Sequence, residues 1–209
     1  LRRRAVGIGN SVDTERMLRI SDSISRTHVE AHKNAMGVGE NRLVLTIGRL
    51  TEKARIDFLL AAISKLKSDG HRIMLVVVGG GDSAAELQQL ANELGIADAV
   101  LWVGPVFDEE VIGLWMRSAD VFVYGGAVGL SLVLGFAYGL PAIFSDDLLG
   151  HNPEALLFRN VEFGSNFTAN DATSLASVID YELSDLPRLA RKGVAAQDLV
   201  RERLGLTRM

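Results

Sequence analysis

Ile73-Met74-Leu75-Val76-Val77-Val78 runs directly into Gly79-Gly80-Gly81. Consecutive apolar residues leave a strand no polar face, so both of its faces have to be covered by other elements. The pattern recurs along the chain. Arg42 to Ile47 ends at Gly48, Val100 to Val103 precedes Gly104-Pro105, Asp120 to Tyr124 precedes Gly125-Gly126, and Pro141 to Phe144 follows Gly139-Leu140. The intervening stretches have helical spacing. Ile56, Leu59, Leu60, Ile63 and Leu66 form one stripe, Leu87, Leu90, Ala91 and Leu94 a second, and 108–117 reads as a further helix. Doubly buried strands alternating with helices predict an α/β fold, a Rossmann-like doubly wound parallel sheet carried by residues 41–209. Residues 1–40 read as a linker and N-terminal helical segment, with a turn-like cluster at 10–14 and one helix from about 22 to 36 closing at Gly37 and Gly39. Residues 161–167 are expected to add a short edge strand, and 171–183 and 186–203 two helices.

Composition removes several classes of function. A formal net charge of −4 argues against a nucleic-acid binder acting through a pervasive basic face. Without cysteine there is neither a disulfide nor a thiolate metal site. His28 and His32 share an i, i+4 spacing but lack the Glu that follows the first His in a zinc helix, so no metal site is expected. No apolar run approaches the roughly 18 to 20 residues of a spanning helix. The start, Leu1-Arg2-Arg3-Arg4-Ala5, has neither an initiator Met nor the apolar core of a signal peptide, and reads as the interior of a longer protein.

In a doubly wound sheet, ligands sit beyond the carboxyl ends of the strands, where loops 48–55, 79–83, 104–107, 124–130 and 145–153 converge. The centre of interest is the stretch Gly125-Gly126-Ala127-Val128-Gly129-Leu130-Ser131, which reads as a glycine loop feeding a short helix. Free backbone N–H groups beside the positive end of a helix dipole suit an anion such as phosphate. Arg49 and Lys53 follow directly after a strand, where cations could clamp a diphosphate. Gly79-Gly80-Gly81-Asp82-Ser83-Ala84 fits a dinucleotide-binding pattern, but the next strand ends Trp102-Val103-Gly104-Pro105 with no acid for a ribose, so it reads as a tight turn lining a pocket. His151 reads as a loop histidine. Arg188, Arg191, Lys192, Arg201 and Arg203 read as a solvated helix face.

Several segments, in order and spacing, resemble the C-terminal, donor-binding half of the retaining GT-B glycosyltransferases, the large group 1 family. Asn10-Ser11-Val12-Asp13 is similar to its linker motif N-G-V-D, Ile47-Gly48-Arg49-Leu50 to V-G-R-L, and Val78-Gly79-Gly80-Gly81 to V-G-x-G. Val103-Gly104-Pro105-Val106 is similar to F-G-x-V, Ser118 to Val123 to A-A-D-V-F-V, Gly139-Leu140-Pro141 to G-L-P, and Asn152-Pro153-Glu154 to G-P-E. The resemblance implies transfer of a sugar from a nucleoside-diphosphate sugar with retention, with no cofactor and no required metal. It also implies an acceptor-binding N-terminal domain as partner and a cytoplasmic protein, with peripheral contact at the inner face of the membrane left open. By the same resemblance, the donor diphosphate lies on Arg49, on Lys53 and on the N–H groups of Leu130 and Ser131 beyond Gly129. Its base rests at Pro105 and Val106, and Gly48, Gly79 and Gly81 line the pocket. Three positions depart from the family pattern. Its two glutamates align with Gly126 and Leu134, and its lysine aligns with Ala54, which leaves Lys53 one place early, about 100° around a helix. A non-catalytic relative that kept the fold and lost donor chemistry is therefore the alternative, and this chain alone is expected not to turn over.

Overall fold

The computed structural model describes residues 13–147, 149–152 and 163–204. Its core is one six-stranded sheet of order β3-β2-β1-β4-β5-β6. The strands are β1 (Arg42–Ile47), β2 (Ile73–Val78), β3 (Val100–Gly104), β4 (Val121–Val123), β5 (Ala142–Ser145) and β6 (Gly164–Phe167). Every neighbouring pair is parallel, with Leu45 opposite Val76 on one side and Phe122 on the other.

Among the described residues the helices are α1 (Thr14–Ser23), α2 (Arg26–Ala35), α3 (Ile56–Ser68), α4 (Ala84–Glu93), α5 (Glu109–Ser118), α6 (Leu130–Ala137), α7 (Ala172–Leu183) and α8 (Leu186–Arg203). Alternate strand residues feed opposite layers, as the two-residue period of a strand requires. Val44, Leu75, Val77, Val121 and Ile143 pack on one side with Leu59, Leu60 and Ile63 of α3 and Ile179 of α7. Leu43, Leu45, Val76, Val78, Phe122 and Phe144 pack on the other with Trp115 of α5, Phe136 of α6 and Val200 of α8. Both faces are thus covered, as the apolar strands demand.

The chain moves outward from β1 through β2 to β3, then returns to the other side of β1 as β4. The two crossovers leaving β1 and β4 diverge there and open a crevice at the carboxyl ends of those strands. Asp120 fixes this junction. The Leu43 N–H donates to its carboxylate at 2.7 Å, and its own N–H donates to the Leu43 carbonyl at 2.9 Å.

Two expectations change. The single helix over 22–36 is in fact two, α1 and α2, and α1 begins within the supposed turn cluster at Thr14. Ile24 is extended, and Ser25 starts α2 through a capping box in which its side chain accepts from the His28 N–H while His28 Nδ1 accepts from the Ser25 N–H. A histidine in the place usually taken by Glu or Gln hides this start from a pattern reading. The basic C-terminal face is not uniformly solvated either. Lys192 donates at 2.7 Å to Glu182, whose side chain is 1 % exposed, and Arg188 lies over the Tyr181 ring at 3.9 Å. Arg201 pairs with Asp22 at 2.6 Å, nearer the expected surface role. The edge strand is present as β6, with 161–162 outside the described residues, as are Asn10-Ser11-Val12 and Pro153-Glu154.

Candidate functional site

Backbone-to-backbone packing builds the carboxyl end of the sheet. After β1, the Gly48 N–H donates to Val78 O and the Leu50 N–H to Gly80 O, both at 3.0 Å, while the Ser83 N–H returns to Leu50 O at 3.2 Å. A Cβ at Gly79 would overlap the Gly48 carbonyl, and one at Gly81 the Leu50 carbonyl. These two glycines let the first loop lie on the second.

The chain then makes a 3-10 turn at Glu52–Ala54, and Arg55 adopts a left-handed conformation at φ 51° before α3 starts. Such a conformation is unusual for a residue with a side chain. Arg55 is held there by Asp57, at 3.2 Å from two guanidinium nitrogens, by Asn170 at 3.0 Å and by the Phe58 ring 3.7 Å below its guanidinium carbon. The turn presses on the glycine loop. A Cβ at Gly125 would overlap the Arg55 carbonyl, and one at Gly126 the Lys53 carbonyl. Gly126, aligned with a family glutamate, is therefore a contact between two main chains.

Arg49 and Lys53 are exposed, and among the described residues neither side chain forms a hydrogen bond or ion pair. Ala54, aligned with the family lysine, is 4 % exposed and packs in the core beneath α3. A cation one place earlier faces outward, so Lys53 stands at the mouth of the glycine loop and Arg55 is committed to Asp57 and Asn170.

Beyond the loop, α6 starts at Gly129 with no side-chain cap and no acidic residue in its first turn. Asp13, Ser25, Asp108, Asp171 and Asp185 cap α1, α2, α5, α7 and α8, while α3 and α4 also lack a side-chain cap but carry Asp57 and Glu86 in their first turns. The first N–H groups of a helix have no intrahelical acceptor, so those of Leu130 and Ser131 remain open at the positive end of the α6 dipole. Leu134, the other departure, is half-buried against the layer containing Phe122 and Phe136.

Lys53, Gly126, Ser145, Asp147, His151 and Asn170 are among the residues lining a cavity of about 230 Å³ between the ends of β4, β5 and β6. Arg49 does not line it. His151 is more than a loop residue: its Nδ1 accepts from the Val128 N–H at 3.2 Å, and its Nε2 lies 2.9 Å from the Ser145 carbonyl. Nothing in the sequence pattern marks these contacts, because Val128 lies in the glycine loop, Ser145 at the end of β5 and His151 in the loop that follows it. Tyr124, whose hydroxyl lies 3.3 Å from where a Cβ on Gly48 would stand, has its phenol pKa raised by burial.

Pro105 and Val106 follow β3, on the far flank of the β1 loop. Pro105 is exposed, Val106 is half-buried against the α5 layer, and Phe107 is 88 % exposed. The structure thus places Lys53, Gly126 and the start of α6 around the switch point, with Arg49 exposed at its edge. A larger cavity of about 760 Å³ lies at the opposite, amino end of the sheet beside Arg42 and Ile73. Its Arg72 and His71 are paired with Glu40 and Asp180, and α3 and α7 reach it with their carboxyl ends, at Leu66 and Leu183, so it lacks the open N–H groups found at the switch point. Among the described residues no three His, Asp or Glu side chains converge on a metal-sized site, and no helix is long and apolar enough to cross a membrane. His32, half of the i, i+4 histidine pair, packs edge-on against Trp115 at 4.3 Å, and burial lowers its pKa.

Comparison with known proteins agrees with this architecture. The family described as glycosyl transferases group 1 matches residues 29–198. A D-inositol 3-phosphate glycosyltransferase of Streptomyces scabiei is 33 % identical over 180 residues, covering 79 % of this chain and 39 % of that protein. A GDP-mannose-dependent alpha-(1-6)-phosphatidylinositol monomannoside mannosyltransferase of Mycolicibacterium smegmatis is 26 % identical, covering 89 % of this chain and 49 % of the relative. The chain therefore spans half or less of these relatives' length. Among solved structures, Anabaena Alr3699/HepE in complex with UDP superposes with a TM-score of 0.80 at 19 % identity, over 95 % of this chain and 53 % of that one.

Proposed function

The chain belongs to the group 1 glycosyl transferases, and from that premise we propose that it is the nucleotide-sugar-binding half of a retaining glycosyltransferase. The observation that carries the reading is the uncapped start of α6 just after the glycine loop, whose Gly125, Gly126 and Ala127 line one cavity with the unpaired Lys53. The UDP complex of the Anabaena neighbour supports it, as does the GDP-mannose dependence of the mycobacterial relative.

In the proposed reaction, the bond between the donor's anomeric carbon and its phosphate oxygen breaks. A bond to an acceptor oxygen forms on the same face of the sugar, and the acceptor hydroxyl gives its proton to the departing phosphate oxygen. Negative charge grows on the departing nucleoside diphosphate. The N–H groups of Leu130 and Ser131, Lys53 and Arg49 stabilise that charge in a frame already fixed by backbone packing, which is how preorganised donors lower a barrier. The chemistry needs no cofactor, and the cations do the work that a metal would do elsewhere. The acceptor is held by a separate N-terminal domain, so this chain alone binds donor without turnover. A cytoplasmic protein able to touch the inner face of the membrane completes the reading.

Gly126 and Leu134 favour a second reading, a non-catalytic binding module, because neither offers a carboxylate to a donor hydroxyl. Calorimetry with UDP-, GDP- and ADP-sugars separates the two. One of these donors is expected to bind, and Arg49→Ala to weaken it roughly 10-fold or more, the scale of a lost charge-assisted hydrogen bond. Arg201→Ala, remote on α8, is expected to leave affinity unchanged. No binding at millimolar donor would favour the non-catalytic module, and equal effects of the two substitutions would remove Arg49 from the site.

A further inference from the structure

We propose that His151 is a positioning residue that sets the glycine loop and, through it, the direction of the open N–H groups at the start of α6. Because the Val128 N–H donates to His151 Nδ1 at 3.2 Å, that nitrogen carries no proton and Nε2 carries the ring hydrogen. The Nε2 hydrogen is shared between the Ser145 carbonyl at 2.9 Å and the Ser145 hydroxyl oxygen at 3.3 Å. The ring stands edge-on to Phe144 with centroids 5.6 Å apart, and Phe144 is 3 % exposed at the end of β5. The histidine thus ties the end of a buried strand to the main chain of a loop whose Val128 side chain is itself buried in the core.

Val128 is gripped from both sides. Its N–H goes to the His151 ring, and its carbonyl accepts from the Asn152 N–H at 2.9 Å. A Cβ at Gly129 would strike the Asn152 side chain, its nearest atom 2.6 Å away. Gly129 supplies no side-chain cap to α6, so the clamp on Val128 fixes the start of the helix without accepting from its N–H groups, whereas Asp13, Ser25 and Asp108 accept from those groups at other helix starts. A side-chain cap would occupy the N–H groups, whereas a clamp one residue upstream orients them and leaves them open. The consequence for donor binding rests on the diphosphate reading above.

The two ring nitrogens can be tested separately. His151→Asn places an amide oxygen near Nδ1 and keeps an acceptor for Val128, while His151→Gln places an amide nitrogen near Nε2 and keeps a donor for Ser145. Hydrogen exchange of the Val128 amide reads the clamp without any ligand. It is expected to be slow in the unsubstituted chain and in His151→Asn, and at least 10-fold faster in His151→Gln and His151→Ala. UDP affinity, measured by calorimetry on the same four chains, is expected to fall 10-fold or more in the Gln and Ala variants and to stay within about threefold in the Asn variant. Melting temperatures of the Asn and Gln variants are expected to match. Equal Val128 exchange in the Asn and Gln variants, or affinities that simply follow melting temperature, would overturn the positioning role. Absence of UDP binding to the unsubstituted chain with the exchange pattern intact would overturn the diphosphate reading and leave the clamp standing.

Discussion

Gly126→Glu restores the family acid and is expected to damage the site. Any Cβ at this position would lie on the Lys53 carbonyl, a main-chain atom that cannot rotate away as a side-chain tip can. Relief requires the 3-10 turn at Glu52–Ala54 to lift, and that turn is tied down at Arg55 through Asp57 and Asn170. Overpacking of this kind costs about 1–3 kcal/mol, which lowers the melting temperature by roughly 2–4 °C per kcal/mol for a domain of this size. Lifting the turn carries Lys53 away from the start of α6, so UDP affinity is expected to fall at least 10-fold. Gly126→Ala separates shape from charge: it introduces the offending Cβ without a carboxylate and is expected to show most of the stability loss. A Glu variant with an unchanged melting temperature and tighter donor binding would show that the position is open and that the two loops are not packed as described.

Glu182→Ala is expected to produce the largest loss of stability, about 3–5 kcal/mol, the range for stranding one member of a buried ion pair. The Glu182 carboxylate accepts from Lys192 at 2.7 Å and from the Ser165 hydroxyl at 2.5 Å. Lys192 in turn donates to the Gly164 carbonyl and to Ser165 Oγ, both at 3.1 Å. With the carboxylate gone, an ammonium whose side chain is only 18 % exposed has no counter-charge. The network joins α7, α8 and β6, so the edge strand is expected to loosen first. Urea denaturation of Glu182→Leu, of Lys192→Met and of Glu182→Leu/Lys192→Met forms a double-mutant cycle. The double variant is expected to recover part of the loss, because apolar replacement of a buried pair is often neutral or stabilising, while Arg188, 3.7 Å from Glu182 Oε2, still loses its counter-charge. A single Ala variant within 1 kcal/mol of the unsubstituted chain would contradict the burial of this pair.

The fold was legible wherever one signal sufficed. Strands apolar throughout, such as Ile73 to Val78, need cover on both faces, and that alone implies parallel strands between helices. The glycines at 79–81 read correctly as a tight turn, since the pattern of backbone approach is written in the residue type. Two kinds of feature stayed hidden. The break between α1 and α2 depends on a histidine acting as the return member of a capping box, a role that residue type does not advertise. The contacts of Gly126, Lys192 and His151 depend on partners distant in sequence: Lys53 for the first, Glu182 and Gly164 for the second, Ser145 and Val128 for the third. Ala54 shows the same limit, because only its burial explains why the cation stands at 53 instead.

The proposed function places a nucleoside diphosphate at the crevice between β1 and β4, on the start of α6. Amide chemical-shift mapping during titration with UDP tests it most directly. The largest shifts are expected at Leu130 and Ser131, with accompanying changes at Arg49, Lys53 and Gly126. Shifts centred instead on Arg42, His71 and Arg72 at the amino end of the sheet, with Leu130 and Ser131 unmoved, would contradict the account.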